Sequence, residues 1–282
     1  MLSILLPTDF SANAMNAIKY ALDFFKNQEV QFYFLNTYRN EFYDHKDLVT
    51  RKDFDAVLNT VKSQSQNNLE CLLKEINENE SNPKHRYHII SAFNTLLEEA
   101  NEIVDSKNID LIVMGTQGKS NERHIVFGSQ AFQVLKYVQC PVLIIPSAYT
   151  NTAPKRILFP TNYLIPYKQR ELELVSTLAR RNRSEIDVVY ISTVKKLSLR
   201  QEDNQEVIKE ALVHNTVDFS IKNGKNITES IASHIQENNI DLLVMVNTQY
   251  SFLEDILFPS KLDEISLGLE IPLLALQNTS RK

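Results

Sequence analysis

The sequence predicts two tandem doubly wound α/β domains, each with a five-stranded parallel sheet flanked by helices. Three observations predict it. Segments such as residues 109–114 and 142–145 are continuous apolar runs rather than alternating ones, which marks strands buried on both faces. These runs alternate with stretches whose apolar residues recur at helical spacing, as a parallel sheet covered on both sides requires. The chain also repeats itself. "ILLPTD" (residues 4–9) returns as "ILFPTN" (157–162), and "NIDLIVMG" (108–115) returns as "NIDLLVMV" (239–246). From there the halves run in gapless register, with Ser129 opposite Ser260 and Pro141 opposite Pro272. The repeat sets domains at 1–148 and 154–282, joined near "SAYTNTAPK" (147–155).

Within the first half, residues 4–6 read as a buried strand. Ala14, Ile18, Ala21, Leu22 and Phe25 then fall on one helical face. Residues 30–35, rich in aromatic and β-branched side chains, read as a second strand. Phe54, Val57, Leu58 and Val61, followed by Leu69, Leu72, Leu73 and Ile76, mark a long amphipathic helix or a broken pair. Residues 87–90 are a third strand, and Leu96, Leu97, Ala100 and Val104 line a helix. The apolar run at 109–114 is the fourth strand. Ala131, Val134, Leu135 and Val138 form a helical stripe before the fifth strand at 142–145. The first half is the longer one between residues 38 and 83, where a helix over the sheet or a docking surface would account for the extra length.

Composition narrows the function. Hydrophobic content of 43% with 23% charged residues supports a packed core and excludes a disordered chain. A net charge of −5 without a dense Lys/Arg block excludes a nucleic-acid surface. The two cysteines, Cys71 and Cys140, belong to no CxxC or Cys/His cluster, so they read as reduced thiols rather than metal ligands. No run approaches the ~18 apolar residues of a membrane span, and the N-terminus lacks a basic flank and a cleavage site; the expectation is a cytoplasmic protein.

Three of the five glycines lie in "MGTQGKSNERHIVFGS" (114–129), directly after the fourth strand. In doubly wound folds that position opens on the ligand crevice beyond the strand ends. Ser129 reads as an N-cap of the following helix, whose N–H groups and positive dipole end make an anion site. Glycines there allow positive φ and close backbone approach, the makings of an anion-binding nest. The second half supplies an internal control: Val246, Gln249 and Pro259 replace Gly115, Gly118 and Gly128, while Ser260 persists. The fold therefore reads as not needing the glycines, which leaves phosphate binding as their role in the first half only. Asp9 ends the first strand in the same crevice, opposite Asn162, either as a hydrogen-bond acceptor for a ligand or as a helix cap.

Other patterns carry less. Gly118-Lys119-Ser120 ends like a P-loop, but Val113 stands where that motif needs glycine. His85 and His88, three apart on a strand, face opposite sides and make no metal site. Lys119, Arg123 and His124 either face an anion or form a solvated basic loop. No nucleophile–base arrangement is recognisable.

The spacing Gly115-x2-Gly118-x9-Gly128-Ser129, after a strand ending in Met114 and before "CPVLIIP", resembles the nucleotide-binding motif of the universal stress protein family. "ILLPTDFS" is similar to that family's first strand and turn, and the resemblance spans nearly all of both halves. It implies binding of ATP or AMP, with Mg²⁺ as the accompanying cation, in a regulatory stress-response protein. It implies that Gly115, Gly118, Gly128, Ser129 and Gln130 surround ribose and phosphates, Gln130 only through its backbone, and that Met114 belongs to the same cofactor-binding set. Pro7, Thr8 and Asp9 then flank the adenosine, and backbone near Thr37 meets the base. It further implies a pseudo-dimer within the chain, residues 142–145 against 273–276, and a protein partner that the sequence does not identify. No catalytic or metal-ligating residue is assigned. The alternatives are a slow ATPase or nucleotidyl-transfer enzyme using Asp9 or His124, and a nucleotide-free interaction scaffold.

Overall fold

The structure is a computed structural model, and it describes residues 1–48, 50, 53–116, 128–147, 149–194, 196–247 and 270–278. It divides into two compact units, Met1–Thr150 and Asn151–Lys282.

In the first unit β1 (Leu2–Pro7), β2 (Val30–Thr37), β3 (His85–Ala92), β4 (Leu111–Gly115) and β5 (Val142–Ile145) form a parallel sheet in the order β3-β2-β1-β4-β5. The order reverses between β1 and β4. β4 is buried at every residue, which accounts for its unbroken apolar sequence. Helix α1 (Ala12–Phe24) starts at Ser11, whose hydroxyl accepts from the Ala14 N–H at 3.3 Å, and it buries Ala14, Ala17, Ile18, Ala21 and Leu22. Two elements follow β2: a short α2 (Arg39–Tyr43), and α3 (Phe54–Asn79), a single continuous helix of 26 residues. Phe42, fully buried, anchors α2 in a cluster with Tyr38, Val57 and Val61. α4 (Leu96–Ser106) and α5 (Ser129–Tyr137) complete the unit.

The second unit repeats the topology. β6 (Arg156–Pro160), β7 (Glu185–Ile191), β8 (Thr216–Lys222), β9 (Leu242–Asn247) and β10 (Leu273–Gln277) are parallel in the order β8-β7-β6-β9-β10. The helices are α6 (Gln169–Asn182), α7 (Leu199–Ala211) and α8 (Ile227–Asn238). Counted from the matched positions Asp9 and Asn162, α1 begins three residues on and α6 seven, about one turn later. Pro166 stands in the place of Asn13 and biases the residue before it away from the helical region, so α6 does not begin at the position where α1 does. No described helix is long and apolar enough to cross a membrane.

Candidate functional site

The turn after β1 is built by its own polar side chains. Thr8 Oγ1 accepts from the Phe10 N–H and Asp9 Oδ1 from the Ser11 N–H, each at 3.0 Å, and Phe10 sits in the left-handed region at φ 61°. The second unit folds the same turn from Thr161 and Asn162, which accept from the Tyr163 and Leu164 N–H groups at 3.0 and 2.9 Å, with Tyr163 at φ 54°. "PTDF" and "PTNY" are thus one conformational motif, and Asp9 orders the turn that presents Ser11 as the cap. Capping itself belongs to Ser11, not Asp9.

Beyond the carboxyl ends of β1, β2 and β4 lies a crevice of about 350 Å³, inside the range of about 300–1,000 Å³ typical of small-molecule sites. Pro7, Thr8, Asp9, Thr37, Met114, Gly115, Gly128, Ser129 and Gln130 all line it. Gly118 lies outside the described residues, as do Lys119, Arg123 and His124. The lining residues come from four separate stretches of chain, which the strand order brings together at the reversal between β1 and β4.

Two readings of the glycine stretch need correction. The N-cap of α5 is Gly128, extended at φ −63° and ψ 156°, and Ser129 is the first helical residue. The Gly128 N–H donates to the Thr116 carbonyl at 2.9 Å, and the Gly128 carbonyl accepts from the Phe132 N–H at 3.0 Å as the first bond of the helix. Nor does either described glycine of the stretch have positive φ. Gly115 has a packing reason instead. A Cβ there would lie 3.0 Å from the Asn13 carbonyl oxygen, so β4 and the first turn of α1 touch through the missing side chain. In the second unit, where Val246 stands in the place of Gly115, α6 starts later and Pro166 replaces Asn13. Gly115 is therefore needed by this arrangement of α1, whether or not a ligand is bound. Gln249, Pro259 and Ser260 lie outside the described residues.

The crevice also collects residues that the sequence reading missed. Asn36 lines it from β2, and Asn40, Glu41 and Asp44 from α2 and its C-cap. A five-residue helix has no periodic stripe to announce it; α2 reaches the crevice because Phe42 pins it to the core. Asn36 carries its own buried network. Its Nδ2 donates to the Thr8 carbonyl at 2.8 Å, and its Oδ1 accepts from Ser65 Oγ at 2.7 Å. A signal for Ser65 existed: it is the polar position on the buried stripe Val57, Val61, Ser65, Leu69, Leu72 and Ile76 of α3.

Electrostatically, three carboxylates, Asp9, Glu41 and Asp44, face the crevice, and none of its described lining residues is Lys, Arg or His. The counterweight is the N-terminus of α5, where Ser129, Gln130 and Ala131 present N–H groups without intrahelical partners. One end of the crevice thus suits an anion, while the α2 side suits hydroxyl and amine donors. The two histidines of β3 take no part. His85 is buried with Nε2 3.2 Å from the Phe25 carbonyl oxygen, and burial lowers its pKa; His88 is exposed and stacks on Tyr33.

In the second unit, Tyr167 takes the place of Ala14, one of the residues lining the first crevice. Its hydroxyl is hydrogen-bonded to the Thr161 hydroxyl, its ring meets Phe159 edge-on at 5.7 Å, and burial pushes its phenol pKa up. A phenol ring thus sits at the turn where the first unit has a methyl group.

Comparison with known proteins follows the same lines. The profile of the universal stress protein family matches residues 1–146. Universal stress protein MJ0531 of Methanocaldococcus jannaschii is 30% identical over 147 residues, 50% of this chain and 80% of the relative. Universal stress protein MJ0577 of the same organism is 26% identical over 159 residues, covering 50% of this chain and 93% of the relative. Among solved structures, a universal stress protein from Archaeoglobus fulgidus shares the fold along 98% of both chains, with a TM-score of 0.67 at 19% identity.

Proposed function

The chain belongs to the universal stress protein family, and from that premise we propose that its N-terminal unit binds an adenine nucleotide, ATP or AMP, in the strand-end crevice as a regulatory ligand. The observation that carries this reading is the convergence of Pro7, Thr8, Asp9, Thr37, Met114, Gly115, Gly128, Ser129 and Gln130 on one crevice of about 350 Å³. Phosphates lie at the N-terminus of α5, where backbone N–H groups and the helix dipole oppose their charge. The adenosine lies between the Thr8–Asp9 turn and the end of β2.

The acidic lining supports Mg²⁺ as companion to ATP. Asp9, Glu41 and Asp44 offer hard oxygen donors of the kind Mg²⁺ takes, and no described group of three or more His, Cys, Asp or Glu side chains is placed to hold a metal alone. That fits an ion carried mainly by phosphate oxygens with one or two carboxylates in support. When bound, Mg²⁺ would supply positive charge against the triphosphate. The chain's own residues orient the nucleotide: the turn fixes Asp9, and α5 directs its N–H groups.

The second unit holds no nucleotide in this reading, because Val246 and Tyr167 stand where the first unit has Gly115 and Ala14. Binding rather than turnover is the action of the first unit, with occupancy altering the surface offered to a protein partner.

Isothermal titration with ATP, ADP and AMP, with and without Mg²⁺, tests the proposal. One nucleotide per chain is expected, and Gly128→Ala should weaken it at least about tenfold by putting a methyl group where the phosphates approach the start of α5, while the fold should stand because φ −63° and ψ 156° admit any residue. A stoichiometry of two, or equal affinity in the variant, would reject the assignment.

A further inference from the structure

We infer that Asn36 is the positioning residue of the nucleotide site, and that Ser65 and Ser91 fix the direction in which its carboxamide points. The inference rests on the nucleotide reading given above for its ligand, but on geometry for its mechanism.

The geometry determines every proton in the chain. The Thr8 carbonyl oxygen can only accept, so the amide atom 2.8 Å from it is Nδ2, the donor end of Asn36. The other end is then Oδ1, which can only accept, so the Ser65 hydroxyl 2.7 Å away donates to it. With its single proton given to Asn36, Ser65 must be the acceptor in its 2.7 Å contact with Ser91 Oγ, and Ser91 donates. The order runs one way, from Ser91 on β3 through Ser65 on α3 and Asn36 on β2 to the Thr8 carbonyl. Asn36 and Ser65 are each 2% exposed, so water does not compete with either.

The network ends on the turn that presents Asp9. Thr8 is held on both sides, its N–H donating to the Leu35 carbonyl at 2.8 Å and its carbonyl accepting from Asn36. Thr8 Oγ1 and Asp9 Oδ1 in turn hold the Phe10 and Ser11 N–H groups. Asn36 therefore locks the Thr8–Asp9 peptide, just past the end of β1, to β2, and the Asp9 carboxylate is aimed from a fixed base. It also removes a wrong alternative: an inverted amide would put Oδ1 against the Thr8 carbonyl oxygen.

The second unit shows that the fold closes without this device. The register pairs Pro7 with Leu35 and Pro160 with Val189, which puts Tyr190 in the place of Asn36. Tyr190 packs its ring 5.9 Å from that of Tyr163 instead. The same turn conformation forms there with an aromatic pair beside it. What the Asn36 network adds in the first unit is a polar lock within an open crevice, where a ring would occupy the ligand's space.

The test is Asn36→Asp, near-isosteric but lacking the donor at neutral pH. At pH 8 the affinity for Mg·ATP should fall at least about tenfold, equivalent to about 1.4 kcal/mol, and hydrogen-exchange protection of the Phe10 and Ser11 amides should fall with it. As the pH is lowered and the introduced carboxyl takes up a proton, it can donate to the Thr8 carbonyl. Both losses, taken as ratios to wild type at each pH, should then shrink. Ser65→Ala should produce a smaller loss with no such recovery. Unchanged affinity and protection in Asn36→Asp, or a loss constant with pH, would overturn the inference, since the missing donor would then not be what the variant lacks. If wild type binds no adenine nucleotide, the proposed ligand falls, and the amide protection of the two variants alone decides the role of Asn36.

Discussion

Gly115→Ala tests the physical reason for the glycine that ends β4. A methyl group built on Gly115 would lie 3.0 Å from the Asn13 carbonyl oxygen, 3.2 Å from its carbonyl carbon and 3.4 Å from its Cβ. Carbon contacts are most favourable at about 3.5–4.0 Å, so the methyl arrives roughly half an ångström too close. Its nearest opponents are backbone atoms in the first turn of α1, held by the Ser11 cap and by the Met15 N–H to Ser11 carbonyl bond at 2.9 Å, and they cannot rotate away. Overpacking of this kind costs about 1–3 kcal/mol. The reduced freedom of the unfolded chain returns about 0.4–1 kcal/mol. A net loss of about 1–2 kcal/mol follows, or a fall of roughly 2–8 °C in the melting of a unit of this size. Differential scanning calorimetry of wild type and variant measures it, with Gly128→Ala as the control. At Gly128 the backbone suits any residue and the N–H stays available to Thr116, so the unfolded-chain gain is set only against the weaker capping of alanine, and its melting temperature should not fall as that of Gly115→Ala does. An unchanged or raised melting temperature for Gly115→Ala would refute the packing argument and return that glycine to a role in ligand approach alone.

Two further outcomes follow from single side chains. Ser11→Ala removes the cap of α1 and should destabilise the first unit by about 1 kcal/mol in denaturant titrations; no change would mean that water replaces the hydroxyl at that helix end. Glu171 in α6 is buried where the first unit has Ile18, and burial raises its pKa to about 7 against the pull of Lys168, the Gln277 N–H and Arg170. A raised carboxyl pKa contributes stability that is fully present below the unfolded value near 4.5 and is lost as pH rises through about 7. The second unit should therefore weaken by about 3 kcal/mol between pH 4.5 and pH 8 from this group alone. Glu171→Gln should flatten that slope in denaturant titrations across pH, and an unaltered slope would show that the carboxyl ionises without cost.

Several features were legible because they are properties of short segments. The apolar run ending in Met114 could only be a strand covered on both faces, and the alternation of such runs with helical stripes could only be a parallel doubly wound sheet. The match of "PTDF" with "PTNY" was visible as a repeat, and it proved to be one turn with one left-handed residue. The duties within that turn were less legible. Asp9 and Ser11 are both capping residue types two positions apart, and sequence alone does not say which of them the helix uses.

The comparison of the two halves misled at Gly115 for a definite reason. Replacement by Val246 suggested a position free of structural duty, but the constraint depends on Asn13, more than a hundred residues away, and on Pro166 shifting the start of α6 in the other copy. Compensation between distant residues leaves no mark at either site alone. Ser129 was misassigned by one residue because the first bond of the helix runs from the Phe132 N–H to the Gly128 carbonyl, a backbone contact that no side chain advertises.

The sequence by itself determined the class of fold, the internal repeat and the end of the sheet where the crevice opens, because hydrophobic periodicity and turn chemistry are local and survive in one dimension. Only the tertiary structure decided which groups meet there. Asn36, Ser65 and Ser91 lie on three elements and become one hydrogen-bonded chain only once β2, β3 and α3 pack, and Gly115 acquires its role only when the first turn of α1 comes to rest against β4. Contacts between side chains far apart in sequence are fixed by packing, and packing is settled by the whole unit at once.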